Sequence, residues 1–210
     1  MIKPEGHEGR GGAMTQEAAA KSAPNLKFAH MGLVVSDIEV MTRFYVDVLG
    51  FSVTDRGVFG AMDVVFMSRD PEEHHQIVLT TGRPRNLPAN TINPEFGPSI
   101  QQISFKMGSL ADLRDMKSRL EGSDATGITA ASHGNAWSIY AHDPDGNYIE
   151  FYVDTDWYAE QPFYVALDLN KTDEEIVRET QALCEVSPGF KPIAQWRSDM
   201  SKVMAPPFRR

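Results

Sequence analysis

The chain has 210 residues, 41% of them hydrophobic and 23% charged, which is enough for one large domain or two small modules that share a core. Its formal net charge of -9 disfavours binding to the phosphate backbone of nucleic acids. The single cysteine, Cys184, excludes an intramolecular disulfide and a cysteine-rich zinc site, as is typical of a reducing cytoplasm. No apolar run approaches the roughly 18 residues that a membrane span needs. We therefore expect a cytoplasmic protein with neither nucleic-acid nor membrane partners.

The first half of the chain predicts a strand, a helix and three strands. Residues 1–24 are rich in Gly, Ala, Lys and Glu and lack the apolar stretch of a signal peptide, so we interpret them as a flexible leader. Alternating apolar residues predict a strand over 26–35. Ser36 and Asp37 then offer a helix N-cap, and a helical pattern runs as far as Gly50. Three further strands are predicted at 51–56, 61–68 and 75–81.

The same order of elements returns after a proline-containing segment, 83–97, which we interpret as a linker. A strand is predicted over 100–107, and Ser109 caps the helix that follows it. Three more strands are predicted at 127–131, 136–142 and 147–153. The last two are joined by Asp-Pro-Asp-Gly at 143–146, which is a strong signal for a tight turn.

An offset of 72 residues superposes the two halves. It takes His30 to Gln102 and Val78 to Glu150, and the hydrophobic patterns and helix caps agree along the way although the identity is faint. A sheet face that is covered by only one helix per module needs a partner, and pairing the modules would bury it. The pattern therefore indicates an internal duplication.

These patterns predict an α+β fold made of two βαβββ modules, at about 26–82 and 98–154, which form a cupped mixed β-sheet or half-barrel. A C-terminal helical extension follows at 155–210, with one clear helix over 172–184. We expect this extension to wrap over the modules or to cover a mouth of the site, with a dimer contact as the alternative.

Glu150 is the residue with the strongest chemical signal. It lies within the apolar strand YIEFYV, where an unpaired buried carboxylate is costly and needs a cation or a hydrogen-bond network. His30, Gln102 and Glu150 occupy equivalent inward positions in the duplicated halves, so a metal ion shared between the modules is one reading. The other reading is that each side chain has its own local hydrogen bonds or salt bridge.

Four segments resemble the vicinal-oxygen-chelate superfamily, which includes glyoxalases, bleomycin-resistance proteins and type I extradiol dioxygenases. They read FAHMGLVVSDIEVMTRFYVDVLGF, HHQIVL, IQQISFKMGSLADL and HGNAWSIYAHDPDGNYIEFYVD. The last is the most specific, because it combines Tyr140, the DPDGN turn and Glu150 at fixed spacing. The resemblance assigns residues 25–154 to one such domain. It is strongest to single-domain extradiol enzymes of the catechol 2,3-dioxygenase and biphenyl-2,3-diol 1,2-dioxygenase kind.

The resemblance implies a metal site. Extradiol enzymes of this type hold iron(II) with two histidines and one glutamate, which match His30, Gln102 and Glu150, so that a glutamine stands where the second histidine is expected. An amide oxygen is a harder and weaker donor than imidazole, and we expect a lower affinity for iron and more tolerance for metals that favour oxygen ligands. Iron(II) is the expected cofactor, and manganese, nickel and zinc are the alternatives.

The resemblance also implies three catalytic or substrate-contacting residues. His75 matches an acid/base residue near bound dioxygen, and Tyr140 matches a tyrosine that hydrogen-bonds a substrate oxygen. His133 lies near, but not at, the spacing of a substrate-contacting histidine. Strict alternation places His74, and not His75, on the face of Val78, and a bulge at the start of the strand would reconcile the two.

The implied function is the opening of a catechol-like aromatic ring by dioxygen, in a protein that resemblance makes a homodimer. Two alternatives stay open. A glyoxalase-type lyase or isomerase is favoured by the missing second histidine, but Val78 stands where that group usually has an acidic ligand. A metal-free binding protein of the bleomycin-resistance kind requires other partners for His30 and Glu150.

Overall fold

A computed structural model describes residues 27–86 and 100–204. The predicted leader at 1–24 lies outside the described residues, and so does the predicted linker from residue 87 onward. The chain divides into two compact units, and the unit Phe28–Ile193 contains all of the β-strands. Within the described part, every helix is too short or too polar to cross a bilayer.

The first module contains the five elements predicted for it. They are β1 (Met31–Val35), α1 (Ile38–Arg43) with a π-helical turn at Phe44–Val48, β2 (Ser52–Phe59), β3 (Met62–Ser68) and β4 (Ile77–Thr81). Asp37 caps α1, because its carboxylate accepts hydrogen bonds from the backbone N–H groups of Glu39 and Val40, both at 3.1 Å. The sheet order is β1-β4-β3-β2, and β1 runs parallel to β4.

The second module repeats this arrangement. Its elements are β5 (Ile103–Lys106), α2 (Leu110–Glu121), β6 (Thr126–Ser132), β7 (Ala136–His142) and β8 (Tyr148–Asp154). Ser109 caps α2 as predicted, by accepting a hydrogen bond from the backbone N–H of Asp112 at 3.1 Å. Strand β5 is parallel to β8, while β6, β7 and β8 are antiparallel neighbours.

The strand register reproduces the predicted offset of 72. Gly32 lies opposite Val78 in the first module, and Ser104 lies opposite Glu150 in the second. The prediction of an α+β fold with two βαβββ modules is therefore confirmed, and the two sheets are open and do not close into a barrel.

Strand alternation gives each sheet one apolar face and one functional face. A single buried cluster covers the apolar faces and both module helices; its members include Leu33, Val35, Leu79, Leu113, Leu120, Ile139, Ile149 and Phe151. Burying each such side chain contributes roughly 1.5–3 kcal/mol. The rings of Phe51 and Phe105, one from each module, lie in edge contact with centroids 6.0 Å apart. The core therefore spans both modules and leaves the opposite faces for polar groups.

The tight turn between β7 and β8 also joins the two modules. Its Asp145 carboxylate accepts hydrogen bonds from the backbone N–H of Ser36, at 2.9 Å, and from the Ser36 hydroxyl. Asp143 organises the turn itself, because its Oδ1 accepts from the backbone N–H groups of Asp145 and Asn147 at 3.1 and 2.8 Å. The predicted turn chemistry thus fixes a contact between the modules as well.

The C-terminal extension as far as Ile193 packs on the second module. This part contributes β9 (Trp157–Tyr158), β10 (Val165–Ala166), α3 (Asp173–Glu185) and β11 (Lys191–Pro192). The last helix, α4 (Ile193–Met200), falls almost entirely in the other compact unit. Helix α3 matches the predicted helix and begins with a capping box between Thr172 and Glu175. In the buried contact, Trp137 Nε1 donates a hydrogen bond to Thr180 Oγ1 at 2.8 Å. Strand β10 adds a fifth strand to the second sheet, beside β6.

The Asp143 carboxyl generates a prediction about pH. Burial is the main cause that raises the pKa of Asp143 from 3.8 to about 6, and hydrogen bonds from Asn147 oppose the rise. As the pH rises from about 4 to about 6, the unfolded chain loses this proton first, so the folded state binds more protons and the stability from this group falls. The free energy of unfolding should fall by an amount on the order of 2–3 kcal/mol for this reason. Asp143→Asn should abolish this pH dependence, because an asparagine side chain does not titrate.

Urea unfolding of both proteins at pH 4.5 and pH 7 checks this expectation. The asparagine keeps the Oδ1 acceptor of the turn, and the exposed Asp124→Asn serves as the matched control. An equal change in the free energy of unfolding between the two pH values for wild type and Asp143→Asn would contradict the prediction.

Candidate functional site

His30 and His75 meet at one end of the first sheet. His30 directly precedes β1, and His75 lies two residues before β4. Because β1 and β4 are parallel, with Met31 opposite Ile77, the residues that precede them come to the same end of the sheet. The two imidazole centroids are 4.3 Å apart. His75 needs no bulge to reach this position, because the strand starts only at Ile77 and its alternation does not extend back to residue 75.

His74 and Asp55 complete the surroundings of His75. The Nδ1 atoms of His74 and His75 are 2.8 Å apart, and His74 Nε2 lies 3.5 Å from Asp55 Oδ2. In the neutral pair, one ring donates through Nδ1 and the other accepts, and the tautomer decides which ring does so. Burial, followed by the neighbouring His30 and His74, lowers the pKa of His75.

Glu150 is held by three neutral donors on the functional face of the second sheet. Its side chain lies in one row with Tyr140 and Ser104, its partners on the adjacent strands, and the residue is 8% exposed. Oε2 accepts hydrogen bonds from Ser104 Oγ at 2.5 Å and from Gln102 Nε2 at 2.9 Å. Oε1 accepts from Ser138 Oγ at 2.8 Å. Two predicted site residues, Gln102 and Glu150, are thus in direct contact.

The chemistry of Glu150 fits a cation. In the described part of the chain, no lysine, arginine or histidine forms an ion pair with its carboxylate. A buried charge is usually paired or coordinates a metal ion, so a divalent cation would supply the missing positive charge, with the Gln102 amide beside it.

The third predicted ligand, His30, lies in the first module, whereas Gln102 and Glu150 lie in the second. Among residues 27–86 and 100–204, no hydrogen bond or ion pair joins the His30–His75 pair to Gln102 or Glu150. The described residues also contain no group of three His, Cys, Asp or Glu side chains arranged to hold a metal ion. The predicted set has only two residues of these types, because its third member is an amide.

Tyr140 and His133 form a second hydrogen-bonded pair beside Glu150. The Tyr140 hydroxyl lies 2.6 Å from His133 Nε2, and His133 Nδ1 lies 2.8 Å from the carbonyl oxygen of Phe163. A carbonyl oxygen only accepts, so Nδ1 carries the proton and Nε2 of the neutral ring accepts from Tyr140. Burial first, and the Glu150 carboxylate second, raise the pKa of Tyr140 far above its usual value, so its hydroxyl stays protonated.

Sequence reasoning missed four residues of this site. Ser104 and Ser138 could have been found, since each lies two residues along a strand from a predicted site residue and therefore on the same face. Phe163 and Tyr164 could not, because they lie 30 or more residues from the side chain that they contact, in an irregular part of the extension.

Comparison with known proteins agrees with this fold. Residues 27–151 match the family model of the Glyoxalase/Bleomycin resistance protein/Dioxygenase superfamily. The chain belongs to this superfamily. The match covers both βαβββ modules as far as β8 and ends before the C-terminal extension begins.

Two curated superfamily relatives come from Rhodococcus globerulus. They are biphenyl-2,3-diol 1,2-dioxygenases 3 and 2, which are 30% and 31% identical to this chain over 132 residues. Each match covers 61% of this chain and 63% of the relative. The crystal structure of a glyoxylase/bleomycin resistance protein/dioxygenase domain from Frankia sp. EAN1pec is similar in fold, with a TM-score of 0.52 and 21% identity. That match covers 62% of this chain and 98% of the Frankia domain.

The Glu150 network predicts a measurable loss of stability. Ser138→Ala removes the donor to Glu150 Oε1 and leaves a buried carboxylate oxygen without its partner. We expect the free energy of unfolding to fall by about 1–3 kcal/mol, measured by urea denaturation. Ser118→Ala, at an exposed position of α2, is the matched control. If Ser138→Ala is as stable as this control, the hydrogen bond does not stabilise the fold.

Proposed function

We propose that this protein is a metal-dependent extradiol-type dioxygenase that opens the ring of a catechol-like aromatic with dioxygen. The observation that carries the proposal is the buried Glu150 carboxylate, which has only neutral donors and lies beside the hydrogen-bonded Tyr140 and His133. The two curated relatives, whose names state a dioxygenase for biphenyl-2,3-diol, support the proposed reaction class. By resemblance to the superfamily, we also propose a homodimer.

His30, Gln102 and Glu150 would hold the metal, with iron(II) first and manganese, nickel or zinc as alternatives. When bound, the metal would supply a Lewis acid that lowers the pKa of a bound hydroxyl and a redox centre for the reaction with dioxygen. Three protein ligands leave room for a substrate that binds through two vicinal oxygens. The first module leaves space at Gly32, where an added Cβ would meet no described atom within 4 Å.

His75 and Tyr140 would handle protons and hydrogen bonds. His75 has a lowered pKa, so its imidazole is neutral at neutral pH and can take a proton from a catechol hydroxyl. Tyr140 donates its own proton to His133. Its oxygen lone pairs can therefore accept a hydrogen bond from a substrate hydroxyl and orient the diol.

A metal-free aromatic-binding protein is the second candidate. It is favoured by the three hydrogen bonds that Glu150 already accepts, since these solvate the charge without a cation. A glyoxalase-type enzyme is less well supported, because Val78 stands at the position in the first module that Glu150 occupies in the second.

Metal content and oxygen uptake distinguish the two candidates. We expect anaerobic reconstitution with iron(II) to give about one metal per chain, and addition of a catechol and air to consume oxygen and give a coloured ring-opened product. His30→Ala and Glu150→Ala should each abolish stoichiometric metal binding, because each removes a charged or strong donor from a site with few ligands.

His142→Ala is the matched control, because it removes a histidine of the same sheet that is outside the proposed ligand set. Unchanged metal content in both His30→Ala and Glu150→Ala would overturn the metal site. Binding of the catechol without metal and without oxygen uptake would favour the metal-free candidate.

The Gln102 position predicts a gain of function in metal binding. Gln102→His introduces a stronger nitrogen donor at the place where an amide now lies beside Glu150, so we expect the affinity for iron(II) to rise by an order of magnitude or more. Competition with a coloured chelator measures this affinity. An unaltered or lower affinity would mean that Gln102 does not contact the metal.

A further inference from the structure

The segment from Gln161 to Ala166 of the C-terminal extension returns to the functional face of the second sheet. Strand β10 pairs with β6, with Val165 opposite Ser132 and Ala166 opposite Ala131. This pairing holds the residues just before β10 against the loop between β6 and β7. His133, the partner of Tyr140, lies in that loop.

Two hydrogen bonds join this segment to His133, and a third, within the segment, links them. The side chain of Gln161 donates from Nε2 to the carbonyl oxygen of His133 at 2.8 Å and accepts at Oε1 from the backbone N–H of Phe163 at 3.1 Å. The carbonyl oxygen of Phe163 then accepts from His133 Nδ1 at 2.8 Å. A main-chain carbonyl has no alternative protonation state, so this contact selects the tautomer of the ring.

The selected tautomer sets the direction of the Tyr140 hydroxyl. With Nδ1 protonated, Nε2 of the neutral His133 ring accepts, and Tyr140 must donate to it. The opposite tautomer would place a proton on Nε2 and turn Tyr140 into the acceptor. The extension therefore determines whether Tyr140 offers a lone pair or a proton to a ligand.

The same segment adds a ring to an aromatic wall. Tyr140 and Tyr148 are stacked with centroids 5.2 Å apart, His133 meets Tyr140 edge-on at 5.9 Å, and Tyr164 meets His133 edge-on at 5.6 Å. Tyr164 is 64% exposed, so most of its ring is available to a ligand.

We propose that Tyr164 is a specificity-determining residue for the part of an aromatic substrate beyond its diol ring, and that Phe163 is a positioning residue that acts through His133. The Tyr164 assignment rests on the proposed function, since it takes the ligand to be an aromatic diol. The Phe163 assignment concerns only the hydrogen bonds of this chain.

Binding of two diols tests the role of Tyr164. The 210-residue chain is kept anaerobic, and its affinities for catechol and for 2,3-dihydroxybiphenyl are measured by calorimetry. An aromatic contact beyond area burial contributes about 0.5–1.5 kcal/mol, so Tyr164→Ala should weaken the biphenyl diol by roughly threefold to tenfold and leave catechol nearly unchanged. Tyr164→Phe should retain the affinity for both.

Phe59→Ala is the matched control, because Phe59 is an exposed ring, 74% accessible, on the β2–β3 hairpin of the other module. If wild type binds both diols and Tyr164→Ala binds them equally well, the Tyr164 assignment is overturned while the proposed function stands. If wild type binds neither diol, the proposed function fails and the Tyr164 assignment fails with it.

The tautomer of His133 tests the role of Phe163 without ligand, metal or oxygen. Long-range proton–nitrogen spectra of the imidazole should show His133 protonated at Nδ1, with the signals assigned through His133→Gln. Tyr140→Phe removes the partner of Nε2 but should leave Nδ1 protonated, because the Phe163 carbonyl still accepts from it. Gln161→Ala, which unfastens the segment, should give a mixture of tautomers, whereas Gln181→Ala on the exposed face of α3 should not.

A wild-type ring protonated at Nε2 would overturn the positioning role, and so would a switch to the Nε2 tautomer in Tyr140→Phe. The second outcome would show that Tyr140, and not the extension, selects the tautomer.

Discussion

Parallel pairing of the first and last strands of each module is the constraint from which the site follows. Parallel strands bring the residues that precede them to one end of the sheet, which places His30 against His75 in the first module. In the second module the same pairing puts Ser104 opposite Glu150 and Gln102 within reach of its carboxylate. A shift of one residue in the second pairing would turn Ser104 or Glu150 toward the apolar face. The helices and the apolar core therefore matter to function mainly by keeping this register.

The Glu150 carboxylate has competing ways to be stabilised. The effective penalty for burying an ion is several kcal/mol, and a hydrogen bond to a charged group contributes about 1.5–3 kcal/mol. Three such bonds, from Gln102, Ser104 and Ser138, are comparable to the penalty, so they can orient the carboxylate before any cation binds. A metal ion at this place would find its carboxylate ligand already positioned. It would also have to share the oxygens with these donors, which makes the Gln102 amide the position at which metal affinity is most easily changed.

Sequence patterns predicted the strands, helices and turns that depend on local periodicity. They did not predict the features that depend on long-range contacts. Alternation, the caps at Ser36-Asp37 and Ser109 and the 143–146 turn gave elements that the structure confirms within a few residues at their ends. The predicted first strand began too early, at residue 26, because β1 has partners only from Met31 onward. The two-residue strands β9, β10 and β11 carry no periodic signal at all. At the site, alternation found the face of Glu150, but it favoured His74 over His75 although both lie outside the strand, and it could not find a main-chain acceptor such as Phe163.

The two halves of the duplication differ in a way that divides the work of the site. Where the second module has Ser104 and Glu150, the first has Gly32 and Val78, so that charge and hydrogen-bond donors lie on one side and open space on the other. The first module adds two imidazoles, of which His75 has a lowered pKa. The second module adds Tyr140, whose hydroxyl is oriented through His133 by the extension. A symmetric pair of modules would present the same groups from both sides. This asymmetric pair presents hydrogen-bonding groups from one side and open space from the other, as the proposed binding of a diol requires.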